Sequence, residues 1–507
     1  MPTRALAAAL SGAVLLVAGA QGDEWPHYAG DATRSARAAR AARDLGAVRW
    51  SVQPAPGTEY VWHSSPVVYG GLVVVSGRQY DRGAQAGNFV VAYDIADGAP
   101  VWFTPIGADL FESWSSPAVD VRNGAVIVAA GRDVFALDLS TGAIEWTASL
   151  RRPVVNASPL VTADLYSAGT PTNRAFITDY GGFGAQAELY AINVDPYEAS
   201  ANPHVPGAIV WTAALPGASG NTPAYAEGTV YVASVGGVIK ALDARSGQVV
   251  WETAVDFSGY PPYTGFYGGV TLRAGFLYAA AYSFYGSGNN SGLFKLDAGN
   301  GQVVWSVACE RSESIPIVAD GGRVYLAAGI EGYGSHVKVQ AFQDNGASVT
   351  PLWDTYVDSG GELVLGGWSH QPVWSRGYLY VGAPSSGAQY FLPYEDLYVL
   401  DVERAPGEPG FIVAHYSGAG GSPAVGDGAV YSLGTEGLVA FEPAPACLAD
   451  LNADGVVTVS DLAALLAAYG TWRGDAGFDS DADLDRDGTV GVVDLGLLLG
   501  VYGAACP

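Results

Sequence analysis

The stretch Ala136-Leu-Asp-Leu-Ser-Thr-Gly-Ala-Ile-Glu-Trp146 decides the fold of this chain. Two apolar runs flank a polar turn at residues 140–142, which is the pattern of a tight β-hairpin. The same spacing, with Gly four residues before Trp and Asp eight before it, recurs in the segments that end at Trp102, Trp251 and Trp305. A fixed spacing that is repeated along a chain is typical of repeat architectures.

A second marker opens each repeat, namely a residue followed by proline at the start of an apolar run. Seven such pairs are Ser65-Pro66, Ser116-Pro117, Ser158-Pro159, Thr222-Pro223, Ile315-Pro316, Gln371-Pro372 and Ser422-Pro423. One further unit, near Gly269-Val270, lacks the proline. Counting it gives eight units of about fifty residues, each long enough for the four short strands of a propeller blade.

The two ends of the repeat region complement each other. The last unit reaches Glu442 without a Gly-x-x-x-Trp segment after it, and that segment is present near the N-terminus as Gly46 to Trp50. We therefore predict an all-β, eight-bladed propeller closed by an N-terminal strand, which removes the open edge of the array. A seven-bladed ring is the alternative, because the seventh unit has His415-Tyr416 where Trp is expected.

The Ala-x-Asp-x-x-Thr/Ser-Gly-x-x-x-Trp motif resembles the PQQ-like, quinoprotein-type propeller repeat, and the resemblance places the propeller at residues 21–443. It implies that a set of tryptophans joins neighbouring blades, here Trp50, Trp102, Trp146, Trp211, Trp251, Trp305 and Trp353. Quinoprotein dehydrogenases of this kind often carry two adjacent cysteines at the quinone. This chain has only Cys309, Cys447 and Cys506, so we expect that it does not use PQQ as a cofactor.

Composition and the N-terminus predict an exported protein. Residues 1–20 have one early positive charge, an apolar run and an Ala-Gly-Ala cleavage signal, which indicates a signal peptide and a secreted or extracytoplasmic location. No later stretch is apolar enough to span a membrane. The formal net charge of -26 argues against a nucleic-acid partner, since phosphate contacts need basic surface. We expect the Ala/Arg-rich segment Asp31–Arg43 to be a solvated lead-in.

No catalytic residue stands out, so a non-catalytic protein is the main expectation. The histidines lack metal-ligand spacing, and we expect His63 and His370, which precede unit-opening prolines, to be structural. Three aromatic, Gly-rich or Pro-containing loops at 260–267, 282–291 and 390–394 have two interpretations. They stack on a flat ligand such as a sugar ring or a quinone, or they pack against neighbouring blades, which is the simpler account.

The repeat pattern ends at about residue 443, and a different kind of sequence follows. Residues 444–447 indicate a short linker, and residues 448–507 contain two twelve-residue loops in the same register. Oxygen ligands at positions 1, 3, 5, 7, 9 and 12, with Gly at 6, are what a wrapped calcium ion requires. The first loop offers Asp450, Asn452, Asp454, the carbonyl of Val456, Thr458 and Asp461; the second offers Asp483, Asp485, Asp487, the carbonyl of Thr489 and Asp494. We predict two calcium ions.

Paired loops with Asp at position 12, each followed by a single short helix, resemble a type I dockerin. The resemblance implies a cohesin-like partner, or another envelope or extracellular protein, that contacts loop positions 10 and 11. These positions are Val459, Ser460, Val492 and Val493, and they are more apolar than the Ser-Thr pair that is common in dockerins. Cys447 and Cys506 flank the module, and as a disulfide they would close a loop of about sixty residues for roughly 4 kcal/mol. Cys309 is then left as a buried thiol.

Two functional hypotheses follow from these features. The first is an exported, non-catalytic scaffold in which the propeller is a platform tethered to a partner by a small α-helical, calcium-dependent module. The second is a quinoprotein oxidoreductase or a polysaccharide-active component of an extracellular complex, in which case carbohydrate is also a partner.

Overall fold

The structure is a computed structural model. It describes residues 24–42, 45–107, 113–165, 172–182, 185–218, 220–285, 288–331, 335–384, 394–426, 428–442, 448–452, 456–472, 475, 477–479, 481–484 and 489–505. The expected signal peptide and linker, the expected ligands Asp454, Asp485 and Asp487, and both Cys447 and Cys506 lie outside these ranges.

The first half of the propeller begins with β1 (Val48–Val52) and continues through four blades. Blade 1 contains β2 (Thr58–Tyr60), β3 (Val67–Tyr69), β4 (Leu72–Asp81), β5 (Ala84–Asp94) and β6 (Pro100–Ile106). Blade 2 contains β7 (Ala118–Asp120), β8 (Ala125–Ala130), β9 (Asp133–Asp138) and β10 (Ile144–Ser149). Blade 3 contains β11 (Leu160–Val161), β12 (Arg174–Thr178), β13 (Ala187–Asn193) and β14 (Ile209–Leu215). Blade 4 contains β15 (Ala224–Ala226), β16 (Thr229–Ala233), β17 (Val238–Asp243) and β18 (Val249–Ala254).

The second half contains four further blades and one additional small sheet. That small sheet pairs β19 (Thr264–Gly265) with β22 (Tyr282–Ser283). Blade 5 contains β20 (Val270–Arg273), β21 (Phe276–Ala280), β23 (Ser291–Asp297) and β24 (Val303–Cys309). Blade 6 contains β25 (Ile317–Val318), β26 (Arg323–Ala328), β27 (Lys338–Asp344) and β28 (Val349–Asp354), with a 3-10 turn at Asp320–Gly322 and helix α1 (Thr355–Asp358). Blade 7 contains β29 (Val373–Ser375), β30 (Tyr378–Pro384), β31 (Tyr394–Asp401) and β32 (Ile412–Ser417). Blade 8 contains β33 (Ala424–Gly426), β34 (Ala429–Gly434) and β35 (Gly437–Phe441).

The described strands therefore give eight blades, not seven. Every blade is an antiparallel sheet, and the degenerate seventh unit forms a complete blade in which His415 pairs with Tyr398. Strand β1 lies in the same sheet as β33 to β35, with Trp50 opposite Ala440 and Val52 opposite Leu438. The first strand of the chain thus supplies the outer strand of blade 8.

Tryptophans of several outer strands, among them Trp102, Trp146, Trp211 and Trp251, dock on a glycine in the following blade. Trp102 of blade 1 covers Gly142 of blade 2, and its indole N–H donates to the carbonyl of Leu139 at 2.8 Å. A Cβ built on Gly142 would lie only 2.5 Å from the Trp102 ring, and the residue has φ of 70°. Both the ring contact and the positive φ require glycine. The motif that defines the repeat is therefore the contact that joins its blades.

A second set of bonds joins the blades at the axis. In five blades the backbone N–H of the residue that precedes the unit-opening proline donates to the side chain of its equivalent in the next blade. The donor–acceptor pairs are Ser65 to Ser116, Ser116 to Ser158, Ser158 to Thr222, Ile315 to Gln371 and Gln371 to Ser422, at 2.9 to 3.0 Å. Blade 5 has Gly269 at this point, and the amide of Asn221 instead donates to the carbonyls of Phe266 and Gly268.

Residues 24–42 pack along the blades, so the expectation that Asp31–Arg43 is a solvated lead-in is wrong for the part that the structure describes, residues 31–42. The segment runs along the inner strands and contacts every blade in turn: Trp25 with Val68, Pro26 with Val119, His27 with Val161, Ala32 with Tyr225, Thr33 with Leu272, Arg37 with Val318, Ala38 with Trp374 and Ala42 with Gly428. Arg34 is fully buried and donates to the carbonyls of Tyr28, Pro159 and Pro223. We call residues 24–42 the axial belt.

A separate small core holds the C-terminal module together. Helices α2 (Val459–Ala468) and α3 (Val492–Gly500) share a buried cluster that includes Val457, Leu465, Val490 and Leu498. Two isolated antiparallel β-bridges join the halves of the module, one between Val456 and Ala505 and the other between Trp472 and Thr489. No helix within the described ranges has the length and hydropathy that crossing a bilayer requires.

The docking of tryptophan on glycine can be tested with two matched substitutions. Gly142→Ala introduces both a positive-φ strain and an overlap with the Trp102 ring, whereas Gly124→Ala, also at φ of 70°, meets nothing within 4 Å. We expect Gly142→Ala to lower the free energy of unfolding by about 1 to 3 kcal/mol more than Gly124→Ala does, which is the typical cost of overpacking. Denaturant unfolding of the two variants measures the difference, and equal losses would contradict the docking.

Candidate functional site

A narrow cavity lies beside the axial belt and the inner ends of the blades. Its lining is Tyr28, His63, Trp114, Asn156, Gly220, Thr222, Tyr267, Gly268, Gly269, Glu313 and Ser369. Tyr28 comes from the axial belt and Thr222 from the ring of axial hydrogen bonds. The cavity volume is about 30 Å³, which is room for two or three water molecules at about 10 to 15 Å³ each. We call it the axial cavity.

The ionisable groups of the axial cavity are held neutral by burial. Burial raises the pKa of Glu313 to about 8, although the amide of Asn156 donates to its carboxyl oxygen Oε2 at 3.2 Å. Burial, reinforced by Arg78, lowers the pKa of His63 to about 4. At neutral pH the carboxyl is therefore mainly protonated and the imidazole carries no charge.

His63 and His370 differ in their surroundings. His63 lines the axial cavity, stacks on Trp114 at 4.2 Å and pairs its Nδ1 with the hydroxyl of Ser369 at 3.0 Å. His370 accepts the backbone N–H of Gly382 at Nε2, which is a structural contact. We expected both histidines to be structural from the sequence, and only the fold shows that their surroundings differ.

Two buried polar atoms face the axial cavity without a hydrogen-bond partner among the residues that the structure describes. They are Nε2 of His63 and the hydroxyl of Tyr267, and both residues are more than nine-tenths buried. An unsatisfied buried donor or acceptor costs about 1 to 3 kcal/mol. The axial cavity is therefore equipped for a hydrogen-bonding group from outside the chain.

The axial cavity does not fit PQQ, the cofactor that the repeat suggests. PQQ is a fused-ring quinone with several carboxylates, and the described lining residues include neither lysine nor arginine. A cofactor of that size needs a pocket of several hundred Å³. The steric and the electrostatic requirements both fail at this site.

Four of the predicted calcium ligands are carboxylates that the structure describes, and they share one property. Asp450 and Asp461 of loop one, and Asp483 and Asp494 of loop two, are all nearly fully buried. Carboxylates are rarely buried unless a cation or hydrogen bonds compensate them. The described residues contain no cluster of three or more acidic, histidine or cysteine side chains that could hold a metal ion. The other predicted acidic ligands lie outside the described ranges.

Position 12 of each loop also lies in the first turn of a helix. Asp461 accepts the backbone N–H groups of Thr458 at 2.7 Å and Asn452 at 3.1 Å, and Asp494 accepts that of Gly491 at 2.7 Å. Burial tends to raise the pKa of Asp461, and the backbone donors outweigh it, so the net shift is downward. This carboxylate is thus charged and oriented at the loop.

The predicted partner residues all lie at the surface. Val459 and Ser460 begin α2, Val492 and Val493 begin α3, and all four are exposed, with Val459 at 66% and Val492 at 72%. The carbonyls of Val456 and Thr489 lie at the bridges that join the two halves. Cys309 is a buried, free thiol, as expected.

Among the described residues, an arginine of blade 7 contacts the C-terminal module. Arg376, in the turn between β29 and β30, donates from Nη2 to the carbonyls of Asp481 at 3.2 Å and Asp483 at 3.4 Å. Asp483 is position 1 of loop two. The sequence offered no signal for this contact, because Arg376 lies in an ordinary polar turn.

The raised pKa of Glu313 predicts a pH-dependent contribution to stability. A carboxyl whose pKa is higher in the folded state stabilises the fold fully below about pH 4.5, and this contribution is lost as pH rises through about 8. Glu313→Gln should therefore match the wild type at pH 4.5 and exceed its free energy of unfolding at pH 8.5 by up to about 4 to 5 kcal/mol. Denaturant unfolding across this range measures it, with the exposed Glu362→Gln as control. A constant difference across the range would contradict the assignment.

Comparison with known proteins identifies the propeller. The profile of one family, described as outer membrane protein assembly factor BamB, matches residues 34–195, 204–261 and 235–445. The chain is 24% identical to the outer membrane protein assembly factor BamB of Yersinia pestis over 305 residues, 57% of this chain and 66% of that protein. It is 28% identical to the tetrathionate hydrolase of Acidithiobacillus ferrooxidans over 284 residues, 51% of this chain and 52% of that protein. The chain thus spans less than two thirds of the length of either relative.

Solved structures show the same fold at low identity. BamB from Moraxella catarrhalis has a TM-score of 0.51 and 18% identity, covering 77% of this chain and 96% of that one. The quinohemoprotein alcohol dehydrogenase from Comamonas testosteroni has a TM-score of 0.57 and 13% identity, covering 82% and 80%. The family match ends at residue 445, before the C-terminal module. Through its propeller, the chain belongs to the family of the outer membrane protein assembly factor BamB.

Proposed function

We propose that the protein is a non-catalytic scaffold of the cell envelope or the extracellular space. Its propeller is a rigid platform, and its C-terminal dockerin-like module attaches that platform to a protein partner when calcium is bound. The observation that carries this proposal is the pairing, in each half of the module, of buried loop carboxylates with an exposed apolar helix start. Membership of a family that includes an outer membrane assembly factor supports the platform role.

Calcium would be held by Asp450, Asn452, the Val456 carbonyl, Thr458 and Asp461 in loop one, together with Asp454. In loop two it would be held by Asp483, the Thr489 carbonyl and Asp494, together with Asp485 and Asp487. The ion supplies positive charge among carboxylates that otherwise repel one another, so its binding energy appears as folding energy of the module. The small core around Leu465 and Leu498 contributes the rest of the folding free energy of the module.

The partner would meet the first turns of α2 and α3. Val459 and Val492 occupy equivalent positions in the two halves, and both valines are mostly exposed. An exposed apolar pair of this kind fits a cohesin-like or another envelope protein with a complementary apolar surface. Arg376 would hold loop two close to blade 7.

The enzyme alternative rests on the relatives that carry enzyme names, a tetrathionate hydrolase and a quinohemoprotein alcohol dehydrogenase. Under that alternative the chain would be an oxidoreductase or a polysaccharide-active component. The neutral, small axial cavity favours the scaffold. Reconstitution with PQQ and calcium, followed by an absorbance spectrum and an alcohol or sugar oxidation assay, separates the two.

Calcium binding can be tested with substitutions that keep the helix caps. Asp461→Asn and Asp494→Asn retain an acceptor for the capping N–H groups and remove one charge from one loop each. We expect the full-length wild type to bind two calcium ions in calorimetric titration, and each variant to weaken one site by about tenfold or more, equivalent to about 1.4 kcal/mol. Glu362→Ala is the exposed control.

Two results would contradict this prediction. One is no calcium binding at millimolar concentrations, and the other is equal binding by wild type and both variants. For the partner, capture of an envelope protein by the full-length chain should require calcium and should be abolished by Val459→Asp with Val492→Asp.

Closure of the ring by β1 is a further part of the proposal. Trp50 in β1 donates its indole N–H to the carbonyl of Ile95 in blade 1 at 3.1 Å and covers Gly98. This repeats the contact that Trp102 makes with blade 2. Blade 8 would therefore be joined to blade 1 by the same interaction as any other neighbouring pair.

Equal effects of two substitutions would support closure. Trp50→Phe and Trp102→Phe each remove one indole hydrogen bond and keep an aromatic ring, and we expect each to lower the free energy of unfolding by about 1 kcal/mol. Denaturant unfolding measures both. If the junction between blades 8 and 1 were open in solution, Trp50→Phe would have no effect while Trp102→Phe would still destabilise.

A further inference from the structure

The small sheet formed by β19 and β22 lies outside the four-stranded pattern of the blades. Its two strands are fixed to each other by a hydrogen bond between the hydroxyls of Thr264 and Ser283 at 2.7 Å, and Ser291 donates to Ser283 at 2.8 Å. A Cβ at Gly265 would overlap the carbonyl oxygen of Val235, so the sheet lies directly against blade 4. An added, well-anchored element at the end of a repeat is a common place for a binding function.

The aromatic side chains around this sheet divide into a packed and a displayed group. Phe257 and Tyr260 pack with Phe266 and Phe294, which is the simpler of the two expectations for this region. Tyr263 and Tyr285 instead are 60% and 75% exposed, with ring centroids 5.7 Å apart. We call these two residues the tyrosine pair.

The backbone supports a specific role for the tyrosine pair. Tyr263 has φ of 59°, in the left-handed region that bulky residues seldom adopt. Such a strained conformation persists only where the surrounding structure holds the residue in place, and it is found more often at binding sites than elsewhere. Here it places the exposed Tyr263 ring, directly before β19, beside the exposed ring of Tyr285, which follows β22.

One aromatic contact lies between the neighbourhood of the tyrosine pair and the axial cavity. Phe284, the chain neighbour of Tyr285, contacts Tyr267 at 5.2 Å, and Tyr267 lines the cavity. The Tyr267 hydroxyl and His63 Nε2, which have no hydrogen-bond partner among the described residues, lie there beside the neutral Glu313. The axial cavity thus offers uncharged hydrogen-bonding groups, and it has room only for a small group such as a hydroxymethyl.

The geometry points to a binding site for neutral polysaccharide at the tyrosine pair, with sugar rings stacked on Tyr263 and Tyr285 and a hydroxyl-bearing end directed toward Tyr267. Sugars present C–H groups on the face of the ring and hydroxyls at its edge, which matches tyrosine faces beside uncharged acceptors and donors. The net charge of -26 disfavours acidic polymers and anionic lipid surfaces. Carbohydrate binding at this site does not depend on the calcium module.

The test uses the full-length protein and soluble oligosaccharides. Calorimetric titration with cellohexaose, xylohexaose and mannohexaose should show binding of at least one, whereas polygalacturonate should not bind. Tyr285→Ala should weaken the binding at least tenfold, and Tyr285→Phe should change it by less than about twofold, because the ring is kept. Tyr263→Gly should also weaken it while relieving the positive-φ strain. Tyr197→Ala removes a comparably exposed tyrosine of blade 3 and should have no effect.

The outcomes distinguish this site from the proposed scaffold function. Binding should be the same with calcium and with chelator, and melting temperatures of the variants should stay close to the wild type, since both rings are exposed. Absence of binding to all three neutral sugars, or equal binding by Tyr285→Ala, would overturn the inference without affecting the calcium module. Binding of a proline-rich peptide to the tyrosine pair in place of sugar would also overturn it.

Discussion

The docking of one tryptophan on one glycine is the contact on which this ring depends. At Trp102 and Trp251 the indole lies against a turn glycine and its N–H donates to a carbonyl of the next blade, whereas the indole N–H of Trp305 donates to the carboxylate of Asp344. The pair fixes both the spacing within a blade and the spacing between blades. Bonds at the axis, such as Ser116 to Ser158, hold the other end of each blade, so neighbouring sheets are joined at both rims.

The repeat could be predicted from the sequence because its contacts use residues with few substitutes. Gly142 must be glycine, and Trp102 has no equal in size, so their spacing is visible by inspection. The same reasoning gave eight units. The count of eight includes blade 7, where Ala414 occupies the register position of the tryptophan and Tyr416 contacts Phe441 edge to face across the junction at 5.1 Å.

The axial belt and the binding surfaces could not be predicted in the same way. Arg34 looks like a solvated charge in the sequence, because its partners are backbone carbonyls of Pro159 and Pro223, which no side-chain pattern reveals. Burial lowers the pKa of Arg34 to about 9, and hydrogen bonds to three backbone carbonyls stabilise its buried positive charge. Likewise, the sequence does not distinguish Tyr260, which packs against Phe257 and Phe294, from Tyr263, which is exposed to solvent. Only the positions of neighbouring blades decide between them.

The axial belt has a consequence for how the molecule is assembled. The ribosome makes residues 24–42 before every blade that they touch, and β1 pairs with β35 at the other end of the propeller. Contacts of such high sequence separation form slowly, because loop-closure entropy is lost before they contribute stability. Residues 24–42 therefore reach their final place only after the blades have formed, and until then the inner strand edges stay open to chaperones and to aggregation.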